Sequence, residues 1–233
     1  MALMTWVRLP SAWINNHGLK ELQWKGDGIG SDNTAALMAL TALAHNADEQ
    51  SGIAKLTYGD LHSITRLSRA KLANGLDVLE RIHVVERTPE GRSTYRLSGF
   101  NPNEGWAKFP AQSMYASDRI AAFDEFRLRK ACELNALKLF FLFVARRGRD
   151  TNMANISYGK IVEYTGIERA RIKPAMSLLA ALSLVYIEHL PSNTYASGIA
   201  NAYRIVGIDS YNHMGTRGRG MTADDFDNSR IPF

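Results

Sequence analysis

Arg69, Lys71 and Asn74 open a segment whose apolar residues recur at helical spacing, and Arg169, Arg171 and Lys173 do the same one hundred residues later. Arginine can grip a guanine edge through two parallel hydrogen bonds, and either cation neutralises phosphate with release of counterions. Arg66 and Ser68 directly precede the first set, while Arg92, Asn193 and Tyr195 fall in turn segments able to follow a sugar-phosphate backbone. The plain alternative is a solvated helix face, but recurrence in two segments favours recognition of a polyanion. A second chemistry stands at the chain end, where Asp224, Asp225, Phe226 and Asp227 are followed by Ile231, Pro232 and Phe233. An aromatic side chain suits an apolar pocket, and acids upstream of it suit a basic rim. No catalytic constellation is visible. Asp60 with His62, and His83 with Glu86, lack a nucleophile and read as surface pairs, so no enzymatic activity is expected.

The elements that position the cations come from a repeat. Ala54 to Leu72 and Ala154 to Ile172 align without a gap. Ala54, Tyr58, Gly59, Thr65, Arg69 and Ala70 return unchanged at Ala154, Tyr158, Gly159, Thr165, Arg169 and Ala170. The same offset joins Trp6 and Pro10 to Trp106 and Pro110, Leu37 to Leu137, and Val85 to Val185, which marks an internal duplication.

Within the first copy, Ser31 to Asn33 offer caps for a helix ending near His45 and Asn46. A short strand at 52–56 comes next. Thr57 caps a second helix that stops near Thr65. Ser68 caps a third over 69–82, with Leu72, Leu76, Leu79 and Ile82 as its apolar stripe. β-rich segments at 83–87 and 93–97 flank a Pro- and Gly-containing turn. The second copy repeats the order, with Leu137, Phe140, Phe141 and Val144 in a bulkier first helix and Pro174 inside the third. Its hairpin, 184–190 with 201–206, carries a wing eight residues longer. Two pieces resist assignment or mislead. Residues 6–14 read as a strand or arm packing Trp6, Leu9 and Trp13. Gly26, Gly28 and Gly30 mimic a phosphate loop without the Lys-Ser/Thr that would follow it, and read as a turn.

Length and composition agree with two domains. A chain of 233 residues with 45% apolar content can bury two cores, and its net charge of +5 suits an acidic partner. Cys132 alone excludes an internal disulfide and fits a reducing cytoplasm. The six histidines stand without Cys or carboxylate partners at ligand spacing, so neither metal nor cofactor is expected. Ala136 to Ala145 contains Lys138 and is too short to span a bilayer, so no membrane partner is expected, and the N-terminus shows no secretory signal. Residues 207–233 hold four Asp and three Arg with little to build a core, which predicts a disordered tail.

The order helix, strand, helix, turn, helix, hairpin resembles a winged helix-turn-helix. The expected fold is thus α+β, mainly α: winged-helix domains at 1–100 and 101–206 and a flexible tail at 207–233. A helix-turn-helix commonly lays its second helix in the major groove, where the residues above would stand. The tandem arrangement is similar to plasmid and phage replication initiators. The chain end resembles the tip of bacterial single-stranded-DNA-binding proteins, which typically finish Asp-Phe-Asp-Asp-Asp-Ile-Pro-Phe; Asn228, Ser229 and Arg230 interrupt that pattern here. In that family the tip recruits replication and repair proteins. The resemblances together imply a non-enzymatic protein of replication or recombination that binds single-stranded or partly opened DNA. Two other readings stay open: a sequence-specific duplex binder serving as initiator or transcriptional regulator, and a winged-helix adaptor that docks protein. A homodimer is also left open.

Overall fold

The computed structural model describes residues 4–87, 91, 93–191 and 199–208, and shows an α+β chain with small antiparallel sheets. The first copy contains β1 (Trp6–Pro10), α1 (Ala12–Asn15), a 3-10 turn (Gly18–Glu21), α2 (Ile29–His45), β2 (Ile53–Lys55), α3 (Tyr58–Thr65), α4 (Arg69–Arg81), β3 (Val85–Arg87) and β4 (Thr94–Leu97). The second contains β5 (Trp106–Pro110), β6 (Tyr115–Ala116), β7 (Arg119–Ile120), α5 (Ala131–Ala145), β8 (Met153–Asn155), α6 (Tyr158–Thr165), α7 (Arg169–Ala181), β9 (Val185–Pro191) and β10 (Ile199–Ile205). The pairs α3 with α6 and α4 with α7 keep the sequence offset at both ends.

Local signals explain these boundaries. Thr57 accepts from the Asp60 backbone N–H while the Asp60 carboxylate accepts from the Thr57 N–H, a capping box that starts α3. Ser68 caps α4 by accepting from the Lys71 N–H. The stripe of α4 is buried at Leu72, Leu76 and Leu79 and half-buried at Ile82. Position 74 of α4 is matched by Pro174 in α7, and the helix continues through it. The strand orders also match, β2-β4-β3 and β8-β10-β9. Tyr95 faces Ala54 across one ladder and Tyr203 faces Ala154 across the other, which places the longer wing between β9 and β10.

Three expectations need correcting. The helix expected to start at the Ser31–Asn33 caps starts earlier, at Ile29. Gly28 is its N-cap at φ +82°, where a side chain would be strained, and Asp32 donates its backbone N–H to Gly28. Gly30 lies in that first turn, where a Cβ would stand 2.5 Å from Trp24, so glycine lets the indole close over the helix. The strands of the second hairpin reach Pro191 and start at Ile199, beyond the expected 184–190 and 201–206. Finally, Gly207 and Ile208 belong to the folded body: Ile208 is buried, and its carbonyl accepts from Asn152 Nδ2 at 2.6 Å. Residues 209–233, with the expected tail, lie outside the described residues.

Sequence periodicity had nothing to say about how the copies meet. β1 pairs antiparallel with β5, Arg8 facing Lys108 at the centre, so the two copies are related by an approximate two-fold through this ribbon. Val7, Leu9, Ala107 and Phe109 point into the core. On the outer side Trp6 stacks on Trp106 at 5.7 Å, and the Arg8 guanidinium lies 5.1 Å over the Trp106 ring. Each copy then lends its leading segment to the other. Trp13 meets Phe141, His17 stacks on Tyr164 at 4.6 Å, and Lys138 Nζ donates to the Leu22 carbonyl at 2.7 Å. In return His45 Nε2 donates to the Pro110 carbonyl at 2.9 Å, and its Nδ1 stands 3.3 Å from the Tyr115 hydroxyl. α2 and α5 are buried on nearly every face and touch one another at the centre, so one apolar core crosses both copies.

Candidate nucleic-acid interface

The turn between α3 and α4, and the first two turns of α4, hold the expected residues of the first copy. Arg66 ends α3 in the left-handed region at φ +61° and is exposed; its counterpart Gly166 has the same conformation without a side chain. Ser68 is spent on the cap just described. Arg69 is exposed at the first position of α4.

Lys71 and Asn74 are not directed only outward. Lys71 Nζ donates to Ser31 Oγ at 2.5 Å and to Asp32 Oδ1 at 2.6 Å, and Asn74 Nδ2 donates to Asp32 Oδ2 at 3.2 Å. Asp32 thereby clasps the start of α4 to the start of α2, and its charge offsets Lys71 as seen by an approaching anion. Sequence reading named Lys71 and Asn74 and missed Asp32, because a contact across about forty residues leaves no local periodicity. The first copy has a further internal carboxylate in the Asp60 cap, held well below the usual carboxylate pKa by the Thr57 hydroxyl and backbone N–H.

The second copy has neither. Ser31 and Asp32 correspond to Ala131 and Cys132, and Asp60 to Lys160. Arg169 and Lys173 are exposed one turn apart on one face of α7. The Arg169 guanidinium lies 5.5 Å over the Tyr158 ring. Arg171 reaches only to Glu168, the N-cap of α7, at 2.9 Å, an exposed pair of small energetic worth. Beside Arg169 a groove of about 400 Å3 runs along β8, β10 and the start of α6. Ser157 caps α6 there by accepting from the Lys160 N–H at 3.3 Å. Tyr58 and Tyr158 are half-buried and packed against the core.

The first turns of both α4 and α7 carry cations and no acidic residue, with Ser68 as the N-cap of α4 and Glu168 as that of α7. The N-terminal end of a helix is its positive pole, so each such cation costs the isolated helix roughly 0.3–1 kcal/mol. An anion arriving at that end removes the conflict. Arg92, Asn193, Tyr195 and the tip residues from Asp224 to Phe233 lie outside the described residues. Among the described residues, no three His, Cys, Asp or Glu side chains gather as metal ligands, and no helix is long and apolar enough to cross a membrane. No protein-family model matches the chain, and no curated protein matches it.

Proposed function

We propose that the chain is a non-enzymatic DNA-binding protein with two tandem winged helix-turn-helix units, α2 to β4 and α5 to β10. It contacts DNA through the exposed starts of α4 and α7, with Arg66, Arg69, Arg169, Arg171 and Lys173 as the first cations to meet phosphate. The observation that carries the reading is the doubled placement of an arginine at the positive pole of the second helix of the pair, against the helix's own preference. The net charge of +5 acts in the same direction. The C-terminal sequence from Asp224 to Phe233 supports a role in replication or recombination, as a tip that recruits enzymes, and with it a preference for single-stranded or partly opened DNA.

A second reading, a sequence-specific duplex binder, is favoured by the approximate two-fold through the β1–β5 ribbon, since duplex readers often match paired units to half-sites. Fluorescence anisotropy with labelled oligo(dT) and with a duplex of equal length, at one salt concentration, separates the two. Single-strand preference is expected. Duplex binding tighter by roughly tenfold selects the second reading, and no binding to either at low salt ends both. Deleting Ile231, Pro232 and Phe233 is expected to leave DNA affinity unchanged and abolish capture of tip-binding enzymes.

A further inference from the structure

The two copies differ at the start of the first helix of the pair. In the first copy the Asp60 carboxylate sits on the end of α3, accepting from the Thr57 N–H at 2.8 Å and from Thr57 Oγ1 at 2.7 Å. The helix end is occupied by the chain's own anion. In the second copy Lys160 stands at that position and turns to Glu163 at 2.9 Å, so Ser157 caps α6 without an acid. At this place the second copy has the groove of about 400 Å3, bordered by Asn155, Ser157, Tyr158, Arg169, Asn201 and Tyr203. Tyr203 is fully buried and stacks on Phe143 at 4.2 Å. Its hydroxyl completes no hydrogen bond of good geometry, although the Asn201 side chain lies alongside. A buried hydroxyl left in this state costs stability unless something polar reaches it.

We infer that this groove holds a phosphodiester of the bound strand, in the place that Asp60 fills in the first copy. The inference rests on the nucleic-acid reading above and makes the second copy the tighter grip. Arg169 supplies the counter-charge, held over Tyr158. The Ser157 hydroxyl and the leading N–H groups of α6 donate to phosphate oxygens, as helix starts do for anions. Asn155, Asn201 and the Tyr203 hydroxyl face the adjoining sugar or base with donors and acceptors.

The test is to return the acid. Lys160→Asp rebuilds in α6 the cap seen in α3, so the helix is kept and a carboxylate meets Ser157 at the edge of the groove, while Lys160→Gln removes the cation alone. With a labelled single strand titrated over a range of salt, Lys160→Asp is expected to weaken the full-length protein roughly tenfold or more. It should also lower the slope of log K against log salt by about 0.7, one phosphate contact on a single strand. Lys160→Gln should change affinity far less, and the side-chain amide NMR signals of Asn155 and Asn201 should shift when the wild type meets the strand. Equal effects of the two variants, or unmoved amides, overturn the groove while DNA binding stands. A wild type that binds no polynucleotide overturns both. A free mononucleotide that moves the same amides as strongly as the strand assigns the groove to small nucleotides instead, and the strand proposal falls.

Discussion

Replacing Lys138 by Met should make this protein more stable at neutral pH and less dependent on alkaline pH. Lys138 lies on α5 with only 3% of its surface exposed, and its ammonium has one hydrogen bond, to the Leu22 carbonyl. Burial pushes its pKa from the ordinary 10.5 down to about 8. Because the folded pKa is lower than the unfolded one, folding disfavours the proton. The penalty is fully present below the folded value and fades as pH rises toward 10.5. At about 1.4 kcal/mol per pKa unit, the charge costs roughly 3 kcal/mol at pH 7. Most of it, between about 2 and 3 kcal/mol, is relieved by pH 10.

The first copy has Met38 at the matching position, fully buried, so a thioether suits this place in the helix. Lys138→Met leaves the Leu22 carbonyl without its donor, a loss of roughly 1–2 kcal/mol, which leaves a net gain on the order of 1–2 kcal/mol at pH 7. Urea unfolding of both proteins at pH 7 and pH 10 measures the effect. The difference in stability between variant and wild type should fall by about 2 kcal/mol or more between those pH values, whatever other groups titrate in both. A difference that is constant with pH refutes the argument, because the lysine would then keep its ordinary pKa through water that reaches it.

Other consequences follow from the same contacts. Burial holds His45 neutral, with its pKa pushed down to about 3, so folding is favoured above the unfolded value of 6.5 and this contribution is lost as pH falls from 6.5 toward 3; His45→Gln should flatten that acid limb in a urea series. Gly75→Ala sets a Cβ 2.9 Å from the Ala35 and Ala36 backbone, where α2 and α4 touch without side chains between them, and should destabilise by roughly 1–3 kcal/mol by thermal unfolding. Asp32→Asn removes the charge that engages Lys71, and should cost no more than about 1 kcal/mol, the pair being partly exposed, while raising DNA affinity several-fold and steepening its salt dependence in anisotropy titrations. Arg169→Ala should weaken DNA binding more than Arg69→Ala, because the second copy has no counterpart of the Asp32 clasp beside it.

What the sequence determined by itself is the local and the repeated. Thr57 and Ser68 mark helix starts within three or four residues of the groups they cap, and the stripe Leu72, Leu76, Leu79 states which side of α4 is inward. One constant offset then carries those assignments to α6 and α7. Tertiary structure alone decided how the copies meet and which cations stay available. The pairing of β1 with β5, and the seating of Lys138 on Leu22 and His45 on Pro110, join residues whose neighbours in the chain give no sign of their partners. The aligned copies did show Asp60 against Lys160 and Asp32 against Cys132. Those differences acquired meaning only when folding set each acid onto a helix start, since the force between a carboxylate and a cation depends on their distance in space.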